Sequence, residues 1–323
     1  LKTIIFHENQ LSERGTSIAL FDYAYFARKY LDINPIIVFN QNNNNDIRVI
    51  DKFKKEFKVF AYDTILDVEK IIDDYNAEYF YAIKFGTKDN IQVTNSNVLI
   101  HSVFNSNPSE IHGDKYAVIS EWLSDKFNNI IPYVPHMLNL SLTNDNFRNE
   151  LNISDDMVFI GRYGANNTFN IEFVYNSILD ILNKRKDVIF LFVNTNQHVL
   201  HERCLYFDSI VDLYYKTKFI NTCDVFLHAR DYGETFGLSV LEFASKNKQV
   251  ISYDNYQLQN KHPLGGRNHF LFLGDNCFKY TNKFDLDLIL SNITRINKFD
   301  TYYLNEEFSP INVMNKFNEV FLS

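Results

Sequence analysis

The chain has 323 residues, is 46% hydrophobic and 16% aromatic, and carries a formal net charge of -8. That length suits two domains with substantial cores, and the acidic balance argues against a nucleic-acid binder or a generic anionic-membrane binder, either of which normally shows a basic face. No apolar run reaches the ~18 residues of a bilayer span, and the start shows no signal-peptide pattern.

Short apolar runs at 3–7, 35–39, 58–62, 79–84, 97–103 and 115–119 read as buried strands. They lack the polar alternation of a half-exposed sheet, as expected where helices cover both faces. Between them, 16–30 and 64–75 have helical spacing, with Ser17 or Thr16 expected to cap the first and Thr64 the second. This is the βαβ rhythm of a doubly wound parallel domain. The Asn-rich 41–45 is a loop by composition. KFKKEFK (52–58) reads first as a solvated helix face and second as a peripheral membrane contact.

The rhythm breaks over 137–155, which is polar and aperiodic. It restarts with strands expected at 157–161, 188–193, 224–228 and 249–253, and helices at 170–184, 210–222 and 238–247. The tail from Pro310 is amphipathic and is expected to form a terminal helix. The predicted organisation is therefore two similar α/β halves: domain one over 1–145, domain two over 146–308, and a terminal helix over 309–323 that crosses back to the first. Cys204, Cys223 and Cys277 form no CxxC pair and are odd in number, so a reduced, cytoplasmic compartment is expected. The sequons Asn139-Leu140-Ser141 and Asn292-Ile293-Thr294 are read as unused. The chain opens on Leu1, as a trimmed chain or one module of a longer polypeptide would.

The most informative stretch is HARDYGETFGLSVLEFASKNKQVISYD, 228–254, in which seven residues separate Glu234 from Glu242. A strand ends at His228, a loop follows, and a helix begins near Leu238. In open α/β sheets, ligands collect at the carboxyl ends of strands. The first turn of a helix offers unpaired N–H groups and partial positive charge to an anion, and Gly237 permits close approach there. A carboxylate beside a phosphate would repel it, so the glutamates are better suited to accept from neutral hydroxyls. A phosphate flanked by hydroxyl-bearing groups describes a nucleotide sugar. Either glutamate alone would read as a surface residue compensating a helix dipole.

ETFGLSVLE resembles the E-x7-E signature of the retaining GT-B glycosyltransferases, the large group 1 (family 4-like) type related to glycogen and sucrose synthases. VFIGRYG (158–164), ISEWL (119–123), IPYVPHM (131–137) and RGTSIALFDYAYFARKYL (14–31) are similar, in order, to other segments of that family. The resemblance implies an α/β fold of GT-B architecture, with two Rossmann-like doubly wound domains facing a central cleft. It implies metal-independent transfer of a sugar from a UDP- or GDP-sugar, as co-substrate with no other cofactor, to a glycan, lipid-linked or protein-linked hydroxyl.

By the same resemblance Glu242 would bind ribose hydroxyls and Glu234 the hydroxyls of the donor sugar. The backbone of Phe236, Gly237 and Leu238 would cradle the diphosphate, and Arg162 would neutralise it as the glycosidic bond breaks. Family members carry a lysine five or six residues after that arginine. Here Asn167 and Thr168 stand there, so Arg230 or Lys84 is expected to supply the cation. Gly15 would line the cleft and His101 would lie close to the donor sugar. His228 and His136 are similar candidates.

His198 and His201 gather no further ligands for a metal. Asp285-Leu286-Asp287 comes too late in the chain to be the metal-binding triplet of a GT-A enzyme, and suits a helix N-terminus instead. Two alternatives stay open: a nucleotide-sugar epimerase or hydrolase of the same fold, and a non-enzymatic module that binds a nucleotide or glycan.

Overall fold

The computed structural model describes residues 1–154 and 156–323. Its contacts divide the chain into two units, Leu1–Asn139 with Phe308–Ser323, and Leu140–Glu307.

In the first unit, β1 (Lys2–Glu8), α1 (Gly15–Tyr30), β2 (Ile33–Asn40), α2 (Ile47–Glu56), β3 (Lys58–Tyr62), α3 (Ile65–Asp74), β4 (Tyr79–Lys84), β5 (Asn97–Ser102), β6 (Lys115–Val118) and α4 (Glu121–Lys126) follow in turn. All six strands pair in parallel in the order β3-β2-β1-β4-β5-β6. The central strands are buried on both faces: Ile4, Ile5, Phe6, Ile36, Ile37, Val38 and Tyr81 are fully enclosed. Burying such a side chain contributes about 1.5–3 kcal/mol, which is why uninterrupted apolar runs become interior strands.

The start of α1 departs from expectation. The residue preceding the helix is Arg14, and neither Thr16 nor Ser17 caps it. Both hydroxyls turn instead to the buried Glu8 at the end of β1, Thr16 to one carboxylate oxygen and Ser17 to the other at 2.5 Å. Thr64 does open α3, where its N–H donates to Asp67 at 2.9 Å. Over KFKKEFK, Phe53 of α2 faces inward while Lys54 and Lys55 are exposed.

The second unit repeats the plan with β7 (Val158–Tyr163), α5 (Glu172–Lys184), β8 (Val188–Val193), β9 (Cys204–Phe207), α6 (Leu213–Thr222), β10 (Val225–His228), β11 (Gly233–Glu234), α7 (Leu238–Ser245), β12 (Gln249–Tyr253), α8 (Tyr256–Lys261), β13 (Gly266–Arg267), α9 (Asn268–Leu273), β14 (Phe278–Tyr280), α10 (Lys283–Asn292) and α11 (Leu304–Glu307). Its parallel sheet runs β14-β12-β10-β7-β8-β9, with β11 and β13 forming a separate two-stranded ladder. The strand order reverses between β7 and β10. The connections that leave their carboxyl ends therefore run in opposite directions, the arrangement that opens a crevice at a switch point. Asp285 lies in the first turn of α10 and accepts from the Thr281 N–H and hydroxyl.

The chain closes with α12 (Pro310–Phe317), which packs within the first unit. Phe317 and Phe321 meet Tyr81, and Phe317 also meets Tyr23 of α1.

Candidate functional site

The switch point of the second sheet collects its polar side chains. Arg162 sits at the end of β7 and His228 at the end of β10, with Ser252 beside His228 in the register of β12. The loop after β10 forms the short ladder with β13, in which Gly233 pairs with Gly266 and Glu234 with Arg267. That ladder fixes Glu234 just before α7. Gly237 enters the helix at φ +97°, where a Cβ would sit 3.1 Å from His269 Cβ and 3.2 Å from Glu234 Cβ. The positive φ demands glycine here, and the space beside it is tight. The amide of Asn268 donates to the Phe236 carbonyl at 3.2 Å and holds the loop from the other side.

Glu234 is tightly held. His228 Nε2 donates to Oε1 at 3.1 Å and Arg230 Nη1 to Oε2 at 2.9 Å. Burial alone would raise its pKa, but the Arg230 charge and the His228 hydrogen bond outweigh it and hold the carboxyl at about 2. Glu234 is thus an anion that only accepts. Each oxygen keeps a second lone pair for a hydroxyl donor.

Arg162 is 4% exposed. Its Nη2 donates to the Ala165 carbonyl at 2.9 Å and to Thr168 Oγ1 at 2.6 Å, while Nη1, also buried, has no partner. Burial lowers the guanidinium pKa to about 10, against the pull of the Glu234 charge; it stays cationic at neutral pH. Thr168, one of the two positions where family members place a lysine, serves here to orient the arginine.

Glu242 is 2% exposed and faces inward from α7. Its Oε1 pairs with Lys216 of α6, and its buried Oε2 has no partner.

The structure thus gathers Arg162, His228, Arg230, Glu234, Phe236, Gly237, Leu238 and Glu242 in one unit. Gly15, Lys84 and His101 belong to the other. Three of the expected roles meet obstacles. His101 donates from Nε2 to the Val134 carbonyl at 2.9 Å and accepts from Tyr81 at Nδ1 at 2.7 Å. Burial lowers its pKa to about 4. Both ring nitrogens are thus taken by partners within the protein. Lys84 is paired with Asp89 at 2.6 Å and donates to His112 at 3.2 Å. Arg230 is committed to Glu234. Arg162 differs from both in holding a buried nitrogen, Nη1, with no partner.

Gly15 is exposed at the start of α1, and a Cβ there would meet nothing, so the fold itself does not require glycine. His136 lies buried at 3.4 Å from the Tyr23 hydroxyl. His198 stacks on Tyr175 with ring centroids 4.3 Å apart, and His201 Nδ1 accepts from the Arg203 N–H. Among the described residues, no group of three His, Cys, Asp or Glu side chains is placed to hold a metal. The three cysteines are buried and free, and burial raises the thiols of Cys204 and Cys277 to about 12 and 11.

Sequence reasoning missed Lys216, Ser252 and His269. A signal existed for Lys216: it shares a helical face with Phe219 and Ile220, and a lysine on an apolar stripe asks for a buried anion. Ser252 and His269 carried none, because the register of β10 on β12 and the fold-back of α9 bring them to His228.

No protein-family model and no curated protein matches the chain. Solved structures of similar fold exist. HepE of Anabaena, in complex with UDP and glucose, superposes with a TM-score of 0.72 at 12% identity over 100% of both chains. A glycosyltransferase from Rickettsia africae gives 0.67 at 16% identity over 98% of this chain and 94% of that one. A putative UDP-N-acetylglucosamine 2-epimerase from Listeria monocytogenes gives 0.63 at 11% identity over 99% and 96%. The fold is the one expected, the two parallel α/β domains of the GT-B glycosyltransferases.

Proposed function

We propose that the protein is a retaining, metal-independent glycosyltransferase of the hexosyltransferase type. It would move a sugar from a nucleotide diphosphate sugar to a hydroxyl of a glycan, lipid-linked or protein-linked acceptor in the cytoplasm. The observation that carries this reading is a pair of orphaned polar atoms. Arg162 Nη1 and Glu242 Oε2 are buried, unpartnered and of opposite charge. Leaving such groups unsatisfied costs about 1–3 kcal/mol each, and a ligand bearing both a phosphate and hydroxyls relieves both. UDP is the first nucleotide to try, since the Anabaena neighbour is described with UDP and with UDP-glucose; GDP is the second.

In this account Glu242 Oε2 accepts from the ribose. The diphosphate lies at the start of α7, against the backbone of Phe236, Gly237 and Leu238. Unpaired N–H groups and the helix dipole favour an anion there. Arg162 Nη1 meets the leaving phosphate, where negative charge develops as the glycosidic bond breaks. Glu234, anionic and acceptor-only, takes hydrogen bonds from sugar hydroxyls and positions the ring. Its pKa of about 2 makes it a poor base and an unsuitable acid at neutral pH. The departing phosphate is then the group that takes the acceptor's proton, on the face it leaves from, which yields retention.

NMR of the glycosidic product tests the stereochemistry: the account expects the donor's anomeric configuration to be kept, and inversion would refute it. Donor consumption at full rate with no acceptor, giving an epimer or free sugar, would instead assign the protein to the epimerase or hydrolase class.

A further inference from the structure

Glu234 is the end of a longer hydrogen-bonded chain. His228 Nε2 lies 3.1 Å from Glu234 Oε1, His228 Nδ1 lies 2.9 Å from Ser252 Oγ, and Ser252 Oγ lies 3.1 Å from His269 Nε2. Ser252 and His269 are wholly enclosed and His228 nearly so, and His269 Nδ1 is buried with no partner.

Donor and acceptor chemistry gives the chain one direction. A carboxylate only accepts, so His228 Nε2 carries a proton. In the neutral ring Nδ1 then accepts, and the Ser252 hydroxyl spends its one proton there. Ser252 Oγ is left to accept, so His269 must donate from Nε2. This leaves His269 Nδ1 as a bare lone pair. If His228 were doubly protonated, Ser252 would donate to His269 instead, and His269 would bury an orphaned N–H. An unpaired buried donor is the rarer and costlier outcome.

We propose that Ser252 and His269 are positioning residues for the donor-sugar end of the site. Ser252 holds the His228 ring from its Nδ1 side, and His269 fixes Ser252 in turn, so that the N–H which His228 presents to Glu234 stays aimed and the carboxylate is held for sugar hydroxyls on the opposite side. The proposal rests on the functional reading above for the identity of the ligand, while the proton positions stand apart from it. Its sequence elements are remote from each other: β10, β12 and α9 each contribute one link.

The experiment pairs imidazole nitrogen NMR on histidine-labelled protein with calorimetry of UDP and UDP-glucose, for wild type and Ser252→Ala. Wild type at neutral pH is expected to show both His228 and His269 protonated on Nε2 alone. Ser252→Ala removes the partner of His228 Nδ1 and is expected to shift the His228 Nδ1 resonance while Nε2 keeps its proton. It should weaken UDP-glucose about tenfold, the loss of one charge-linked hydrogen bond's orientation, with UDP affinity unchanged. His228 protonated on Nδ1 or on both nitrogens in wild type would overturn the proposal. So would an unaltered His228 spectrum in the variant, or equal losses of UDP and UDP-glucose. If the variant fails to fold, the wild-type spectrum decides the proton positions. If wild type binds neither ligand, the glycosyltransferase reading fails while the spectra still judge the relay.

Discussion

Arg162 keeps half of its guanidinium in reserve. Thr168 and the Ala165 carbonyl fix one nitrogen, and the other waits in a buried position. Arg162→Ala is expected to lower nucleotide release about 10²–10³-fold, as for removal of a donor aimed at developing charge, with little change in unfolding midpoint. A fall of less than threefold would remove Arg162 from the chemistry. Lys216 and Glu242 form a nearly dry ion pair. Lys216→Met should destabilise by about 3–5 kcal/mol, because an uncompensated charge remains, and Lys216→Met with Glu242→Gln should recover most of that. Denaturant titrations of the single and double variants test the coupling. At this scale the sequence disclosed what lies in one continuous stretch: Glu234, Gly237 and Glu242 are spaced by a single loop and helix. It could not disclose surroundings that come from elsewhere in the chain. His101 ends its strand where a ligand would be expected, yet Tyr81 and Val134, 20 and 33 residues away, use both its nitrogens.

The ladder of β11 with β13 and the entry to α7 act as one mechanical piece. Gly237→Ala would force a left-handed conformation on a residue with a Cβ, at about 1–2 kcal/mol, and press that Cβ against His269 and Glu234. The expected result is a small loss of stability with a large loss of UDP affinity. A variant that binds UDP as wild type does would show that the close approach at Gly237 serves packing alone. Long apolar runs such as VIFLFV were legible as strands because burial on both faces leaves no polar alternation to confuse the period. The short elements from α8 to β14 were not legible. β13 has two residues and β14 three, too few to display a period, and tertiary pairing creates them. The hydroxyls of Thr16 and Ser17 were misread for the same reason, since their partner Glu8 belongs to another element.

The first unit carries an acid sensitivity in its core. His7, His101 and His136 are buried, and burial lowers their pKa values to about 3, 4 and 3. Below about pH 6.5 the unfolded chain protonates them and the folded chain does not, so stability falls as pH drops through that window. Glu8 works the other way. Burial raises its carboxyl to about 7, so its contribution grows as pH falls from 7 towards 4.5. Three histidines against one glutamate leave a net loss of roughly 2–3 kcal/mol per pH unit near pH 5. The chain's one tryptophan, Trp122, lies in this unit, so its fluorescence in urea at pH 7 and pH 5 reads the effect directly. An unchanged midpoint would contradict it. At the level of the molecule the α/β alternation was plain in the sequence, whereas the proposed activity is argued from side chains of the second unit. The most direct measurement is nucleotide release from UDP-, GDP- and ADP-sugars in the presence of EDTA, with simple glycan acceptors, for wild type, Glu234→Gln and Arg162→Ala. The account predicts turnover of one donor by wild type and its loss in both folded variants. Absence of both turnover and nucleotide binding across the panel, or turnover that survives both substitutions, would contradict it.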